Sequence, residues 1–388
     1  MILNPEFDPK ELILNENIAS DKSLYILNTN DNRDSWYVQI CKAQSFTYSN
    51  LEILLSADAL DQIRNKKAML ILENIDNIKI PDVVDTIYEQ IVINGNIPPE
   101  QIKLVSWSAD MVHWVSSTAQ RLGLAEIEFE YHNYWEAKFK KIYNLRPFKK
   151  VPTLTNQCYH KKFLCLIKKW RLERCMLFIL MSNRNLINQG YVSFTSDLED
   201  PEWNKIINIL QISWPTLSHE IDCIDPELNN ILPLQLDLVD KNTNQKFLQG
   251  FHASSNVFYT SSYFSVVAET AFFRADSGLM ITEKILRPIV HCHPFIIAGP
   301  DHSLEFLRFL GYRTFEGIID ESYDQETDDS KRLVKIANEI ERLCNLTPTE
   351  LEEFLIKSRE ICEYNFQWFM TKHNYIYTKE QLLCQQFI

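Results

Sequence analysis

Twice along this chain, short apolar runs rich in β-branched and aromatic residues alternate with stretches whose apolar residues recur at helical spacing. That rhythm restricts the fold to the α/β class. The first series sets the strand-like AMLILEN, IKLVSW and AEIEFEY among the helical ADALDQIRNK, PDVVDTIYEQIVIN, residues 110–122 and NYWEAKFKKIY. Upstream of it, SLYILNT and SWYVQIC flank the polar NDNRD, the pattern of a hairpin. The second series opens near residue 160 with KFLCLI, LERCMLFILMSNRNLI, YVSFT and PEWNKIINIL. Polar, irregular text from about 216 to 255 interrupts it, and it resumes with VFYTSSYFSVVAET, ITEKILRPIV, PFIIAG and HSLEFLRFLG. Such alternation predicts parallel sheets covered by helices on both faces. A break near residues 146–158 divides the chain into an N-terminal α/β lobe over 1–150 and a C-terminal α/β lobe over 151–345. A helical extension is expected over 346–388, where Thr347, Pro348 and Glu350 in LTPTELEEF write an N-cap, a first-turn proline and a capping box.

The length of 388 residues suits two domains, and 45% hydrophobic with 23% charged residues is an ordinary globular balance. No apolar run reaches the roughly 18 to 20 residues of a membrane span, and the opening MILNPEFDPKELILNEN has no basic region followed by an apolar stretch. A cytoplasmic protein with no membrane span is therefore expected. The formal net charge of −13 argues against general nucleic-acid binding, which depends on many lysine and arginine contacts to phosphate. The nine cysteines are scattered, with no C-x-x-C pair, and read as reduced core residues.

Glycine is scarce, with eight residues, and no G-x-G-x-x-G or G-x-x-x-x-G-K-[ST] can be written from them. Phosphate, if bound, must meet basic side chains and helix N-termini instead. From Lys138 to Arg174 the chain carries twelve basic residues and one acid, Glu173, a local reversal of its overall charge. The end of that run, KKWRLER with Lys168, Arg171 and Arg174, lies between a strand and the next helix, where guanidinium forks and a helix N-terminus could hold a diphosphate. A solvated linker with a basic helix face is the alternative. Farther on, Thr282 can cap a helix whose first turn presents Glu283 and Lys284, with Arg287 following. A carboxylate there can accept ribose or sugar hydroxyls and a lysine can neutralise phosphate; taken alone, the segment also fits a plain amphipathic helix.

The run ITEK-x-x-R-P followed by PFII-x-G resembles the donor-binding segment of the glycosyltransferase family 10 fucosyltransferases, which carry a similar Tyr-Ile-Thr-Glu-Lys-Leu stretch. It resembles still more a bacterial and viral group read as TEK-x-x-K/R-P…PF…G…SL…L…G-[FY]-x-TF…DESYD. The likeness covers about residues 160–340 and is sharp only in 163–174 and 264–324. It implies two Rossmann-like lobes in a GT-B-type arrangement and a GDP-sugar bound mainly by the C-terminal lobe, with no cofactor and no tightly held metal. Carried over, Lys284 would contact the donor diphosphate and Glu283 the ribose or sugar. Arg171 or Arg174 would share the phosphate charge, with Lys168 beside them and Thr282 and Arg287 in the same segment. Glu269 stands where the fucosyltransferases have a Phe-Glu-Asn-Ser stretch. The resemblance implies fucose or a similar sugar, but this chain has Ala268-Glu269-Thr270 instead, and LIKKWR where relatives show an asparagine before the arginines, and both departures leave fucose itself open.

The stretch EGIIDESYDQETDDS holds seven acids and no base; Asp320, Glu321 and Asp324 could serve a sugar, a metal or the fold. His291-Cys292-His293 lacks zinc spacing and runs into Pro294, so no metal is expected there. Transfer to an acceptor hydroxyl needs a general base, expected from the N-terminal lobe. Candidates are Asp110, first because it follows a strand and opens a helix although that position reads more readily as an ordinary N-cap, then His113, and Glu128 or Glu130 in IEFEY. The expectation is a glycosyltransferase that moves a sugar from a nucleoside diphosphate sugar to a glycan acceptor. A non-catalytic glycan- or nucleotide-binding relative is the rival, and an enzyme acting on protein or modified DNA the third reading.

Overall fold

The computed structural model describes residues 24–28, 35–40, 47–74, 80–145, 159–194 apart from 169, 203–224 with 234 and 236, and 256–383. The 146–158 break lies outside them, as does most of the expected 216–255 excursion. The α/β class holds. The described strands form a six-stranded sheet and a four-stranded sheet, and the residues cluster into two compact units. The first unit gathers residues 1–137, 273–280 and 374–388; the second gathers 138–272 and 281–373. The expected extension over 346–388 is thus shared: helix Pro348–Thr371 belongs to the second unit, and the last strand, β10 (Ile376–Thr378), to the first.

In the first unit β1 (Leu24–Asn28) pairs antiparallel with β2 (Ser35–Ile40), the expected hairpin. β2, β3 (Met69–Asn74), β4 (Ile102–Ser106) and β5 (Glu128–His132) then follow in sequence order, all parallel, and β10 closes the β5 edge antiparallel. Right-handed crossovers taken always in one direction place their helices on one face. Val38, Leu70, Leu72, Leu104 and Phe129 are all buried on one face. The other face carries Glu73 and Lys103, the latter bridged to Glu128 at 2.6 Å and Glu130 at 2.9 Å. Ile71 and Val105, in register with Lys103 and Glu130 on that face, are 8% and 3% exposed, so apolar residues are buried on both faces.

The second unit is a four-stranded parallel sheet in the order β7 (Gly190–Phe194), β6 (Lys161–Ile167), β8 (Ser262–Ala268) and β9 (Phe295–Ala298). Here the strands are apolar almost throughout, as burial on both faces requires. Helix Leu172–Asn183 packs on Asp329–Cys344, and Glu283–Val290 on Pro348–Thr371. The capping box at Thr347 forms as expected: its hydroxyl accepts from Glu350 N at 3.3 Å, and Glu350 accepts from Thr347 N at 2.8 Å. No helix among the described residues is long and apolar enough to cross a membrane.

Candidate functional site

The strand order of the second sheet reverses at β6: the chain steps to β7 on one side, then crosses to β8 on the other. Parallel sheets hold ligands at such a switch point, outside the carboxyl ends of the two strands where the connections part. The first sheet, whose parallel strands run in order, has no reversal of this kind. Three segments singled out in the sequence meet at the β6/β8 switch point: Arg171–Arg174 after β6, Glu269–Thr270 at the end of β8, and Thr282–Lys284 at the start of the next helix.

Glu269, 2% exposed, extends the ladder by donating its N–H to Ala298 O at 2.9 Å. Its Oε2 accepts from Thr282 Oγ1 at 2.5 Å and from Thr270 N at 2.9 Å; its Oε1 is buried with no partner among the described residues. Thr282 caps helix Glu283–Val290 as expected, its hydroxyl accepting from Lys284 N at 3.4 Å. Lys284 Nζ donates to Thr270 Oγ1 at 2.6 Å and to Glu283 Oε1 at 2.9 Å. Burial pushes the Glu283 carboxyl up, but the charge and hydrogen bond of Lys284, with Arg287 one turn on, outweigh it and hold the group below its usual range.

From the other side Arg171 donates to Thr270 O. Two cations thus converge on Thr270, the ammonium at its hydroxyl and the guanidinium at its carbonyl. Arg171 is also the N-cap of helix Leu172–Asn183 and makes no side-chain cap bond. Arg174 differs from Arg171: it is only 5% exposed and donates to Glu269 O at 2.6 Å, a placement that ties β6 to β8. Beside it burial raises the Glu173 pKa against the pull of both arginines. Lys168 is exposed just past β6. Arg287 lies one turn beyond Glu283.

Asp110 and Glu130 lie in the first unit, each beside a base. Asp110 stands at the start of helix Met111–Leu122 but makes no cap bond; its carboxylate takes two bonds from Arg274, at 2.7 and 2.9 Å. Glu130 shares Lys103 with Glu128, and His113 is exposed.

The acidic stretch is used by the fold. Asp324 accepts from Leu304 N at 2.7 Å and Glu305 N at 3.1 Å, and Glu321 from Phe315 N at 2.6 Å and Thr314 Oγ1 at 2.8 Å. Asp320 closes a turn onto Ser322 N at 3.0 Å. The His291 ring stacks on Tyr259 with centroids 4.1 Å apart, and His293 spans Ser265 Oγ and Ser262 O at 2.8 Å each. Both rings are engaged, and among the described residues no group of three potential ligands could hold a metal ion.

Two residues carry no signal in the sequence. Arg332, 1% exposed, donates to Phe272 O at 2.9 Å, Glu326 O at 2.9 Å and Gly299 O at 3.1 Å, binding together the loops after β8 and β9. Glu73, half-buried near the end of β3, has its pKa pushed up to about 7 by burial, from an ordinary 4.5. A carboxyl raised in this way favours folding fully below about pH 4.5, and that contribution is lost as pH rises through about 7. Glu73→Gln is therefore expected to stabilise the protein at pH 8 by on the order of 2–3 kcal/mol and to have little effect at pH 4. Urea melts of both proteins at the two pH values check this; equal differences at both would refute it.

No protein-family model matches this chain, and no curated protein matches it.

Proposed function

We propose that this chain is a glycosyltransferase whose nucleoside diphosphate sugar lies at the β6/β8 switch point, with its diphosphate between Lys284 and Arg171. The convergence of these two cations on Thr270 carries the reading. An anion entering there would replace the neutral Thr270 acceptors of both cations with a charged one, beside the start of helix Leu172–Asn183. Glu283, kept ionised by Lys284, is an acceptor for ribose or sugar hydroxyls, and the unpaired Oε1 of Glu269 is a second. The resemblance of ITEKILRP to family 10 fucosyltransferases supports a GDP-sugar carrying fucose or a similar sugar. A glycan acceptor, a GT-B arrangement of the two lobes and a cytoplasmic location belong to the same reading.

One observation favours a non-catalytic relative that only binds: Asp110 and Glu130, the expected bases, both have their carboxylates beside cations. Thermal melts with GDP-, UDP-, CMP- and dTDP-sugars test the shared core of both readings. A ligand that binds only the folded state raises apparent stability, by about 2.7 kcal/mol at a hundredfold excess over Kd. One nucleotide class is expected to raise the melting temperature, and turnover of its sugar separates the enzyme from the binder. No shift with any of the four defeats the proposal.

A further inference from the structure

The carboxyl ends of β4 and β5, in the first unit, carry a feature that the donor site does not use. Trp107 follows β4, and His132, Tyr134 and Trp135 end or follow β5. Their rings form one cluster. Trp107 stacks on Trp135 with centroids 5.4 Å apart and meets Tyr134 edge-on at 5.9 Å; Tyr134 in turn meets Trp135 at 5.6 Å and His132 at 6.1 Å. All four side chains are only half-buried, although large apolar rings gain most from full burial.

Interleaved with these rings are polar atoms that have no partner. Ser108 Oγ, His132 Nδ1 and Asn133 Oδ1 are buried and make no hydrogen bond among the described residues. Ser108 is 2% exposed and Asn133 1%. Leaving such a group unmade costs about 1–3 kcal/mol, and folded proteins do so rarely. Three within a span of two strand ends is a concentration. The groups are neutral: a hydroxyl, an amide oxygen, and an imidazole whose pKa burial pushes down to about 4.

We infer that this carboxyl end of the first sheet binds a pyranose ring of a neutral glycan, stacked on the Trp107–Trp135–Tyr134 cluster and hydrogen-bonded by Ser108, His132 and Asn133. A pyranose has an apolar C–H face that suits an aromatic surface and a rim of hydroxyls that both donate and accept. Flat rings beside a few unpaired neutral groups match both properties. A nucleotide would ask for cations, and the three unpaired groups supply none. Sugar binding at this place stands independently of the proposed donor site.

The test uses the full chain with lactose, maltose, cellobiose and chitobiose, read by tryptophan fluorescence and saturation-transfer NMR. At least one disaccharide is expected to bind saturably at millimolar concentration. Trp135→Ala and His132→Ala should each weaken it by roughly tenfold or more, and Trp107→Phe should retain it. Ser108→Ala leaves every ring in place and should also weaken binding, which keeps the test open if a tryptophan variant fails to fold. The nucleotide-induced melting shift should be unchanged in all four variants, so loss of one kind of binding is distinguishable from loss of the other. The inference is overturned if none of the four sugars binds, if binding survives Trp135→Ala and Ser108→Ala, or if only guanosine quenches the tryptophans.

Discussion

Lys284→Ala is expected to weaken nucleotide binding by roughly ten- to a hundredfold, because a charge-assisted contact to phosphate contributes about 1.5–3 kcal/mol. The same loss is expected for Arg171→Ala, since its guanidinium faces the ammonium of Lys284 across Thr270. Arg174→Ala belongs to another class: its side chain is buried against Glu269 O, so its removal should lower stability first. Lys357, exposed on helix Pro348–Thr371, serves as the control cation and its alanine variant should bind normally. Melting shifts at subsaturating nucleotide give the answer. If Lys284→Ala keeps the wild-type shift, helix Glu283–Val290 is architectural and the donor assignment falls with it.

Arg332→Leu is expected to cost about 3–5 kcal/mol of a total that is about 5–15 for a folded protein. Leucine keeps much of the volume but strands the buried carbonyl oxygens of Phe272 and Gly299, each worth about 1–3 kcal/mol when unpaired, and frees the half-buried one of Glu326. The guanidinium also lies over the Phe272 ring, 4.4 Å from its centroid, a contact that a leucine replaces only in part. Lysine should not rescue, because one ammonium cannot reproduce a planar fork aimed at three oxygens. A melting point lower by roughly 5 to 15 °C is the expected reading. A loss below about 1 kcal/mol would mean that water replaces the arginine at those carbonyls.

What the sequence made legible is what short-range physics controls. The hairpin before residue 41, the alternation of strands and helices, the Thr282 cap and the Thr347 box all follow from residues within a turn or two of one another. Arg171, Glu269 and Lys284 were visible as candidates through motif and charge. Their meeting was not, because the bond from Arg171 to Thr270 spans 99 residues and depends on strand order. Distance in sequence also explains Asp110. Its position before a helix reads as a cap, yet the group that claims it, Arg274, lies 164 residues away. The acidic stretch misleads because composition suggests a cation or sugar site, while Glu321 accepts from Phe315 N six residues back and Asp324 from backbone N–H groups at the start of helix Ser303–Phe309. Alternation also does not reveal the direction in which successive strands are added: the first sheet runs in sequence order from β2 to β5, while the second reverses at β6.

The pairing of β10 with β5 sets a schedule for the first unit. The two partners are more than two hundred residues apart in the chain. At about 5–20 residues per second, a ribosome needs roughly 10 to 50 s after finishing β5 to deliver the strand that covers its edge. Throughout that interval β5 offers a row of open backbone groups of the kind that recruits other chains. Proteins caught during synthesis should therefore be most prone to mispairing there, and holdase chaperones should be found on nascent chains that already contain residue 132 but not residue 378.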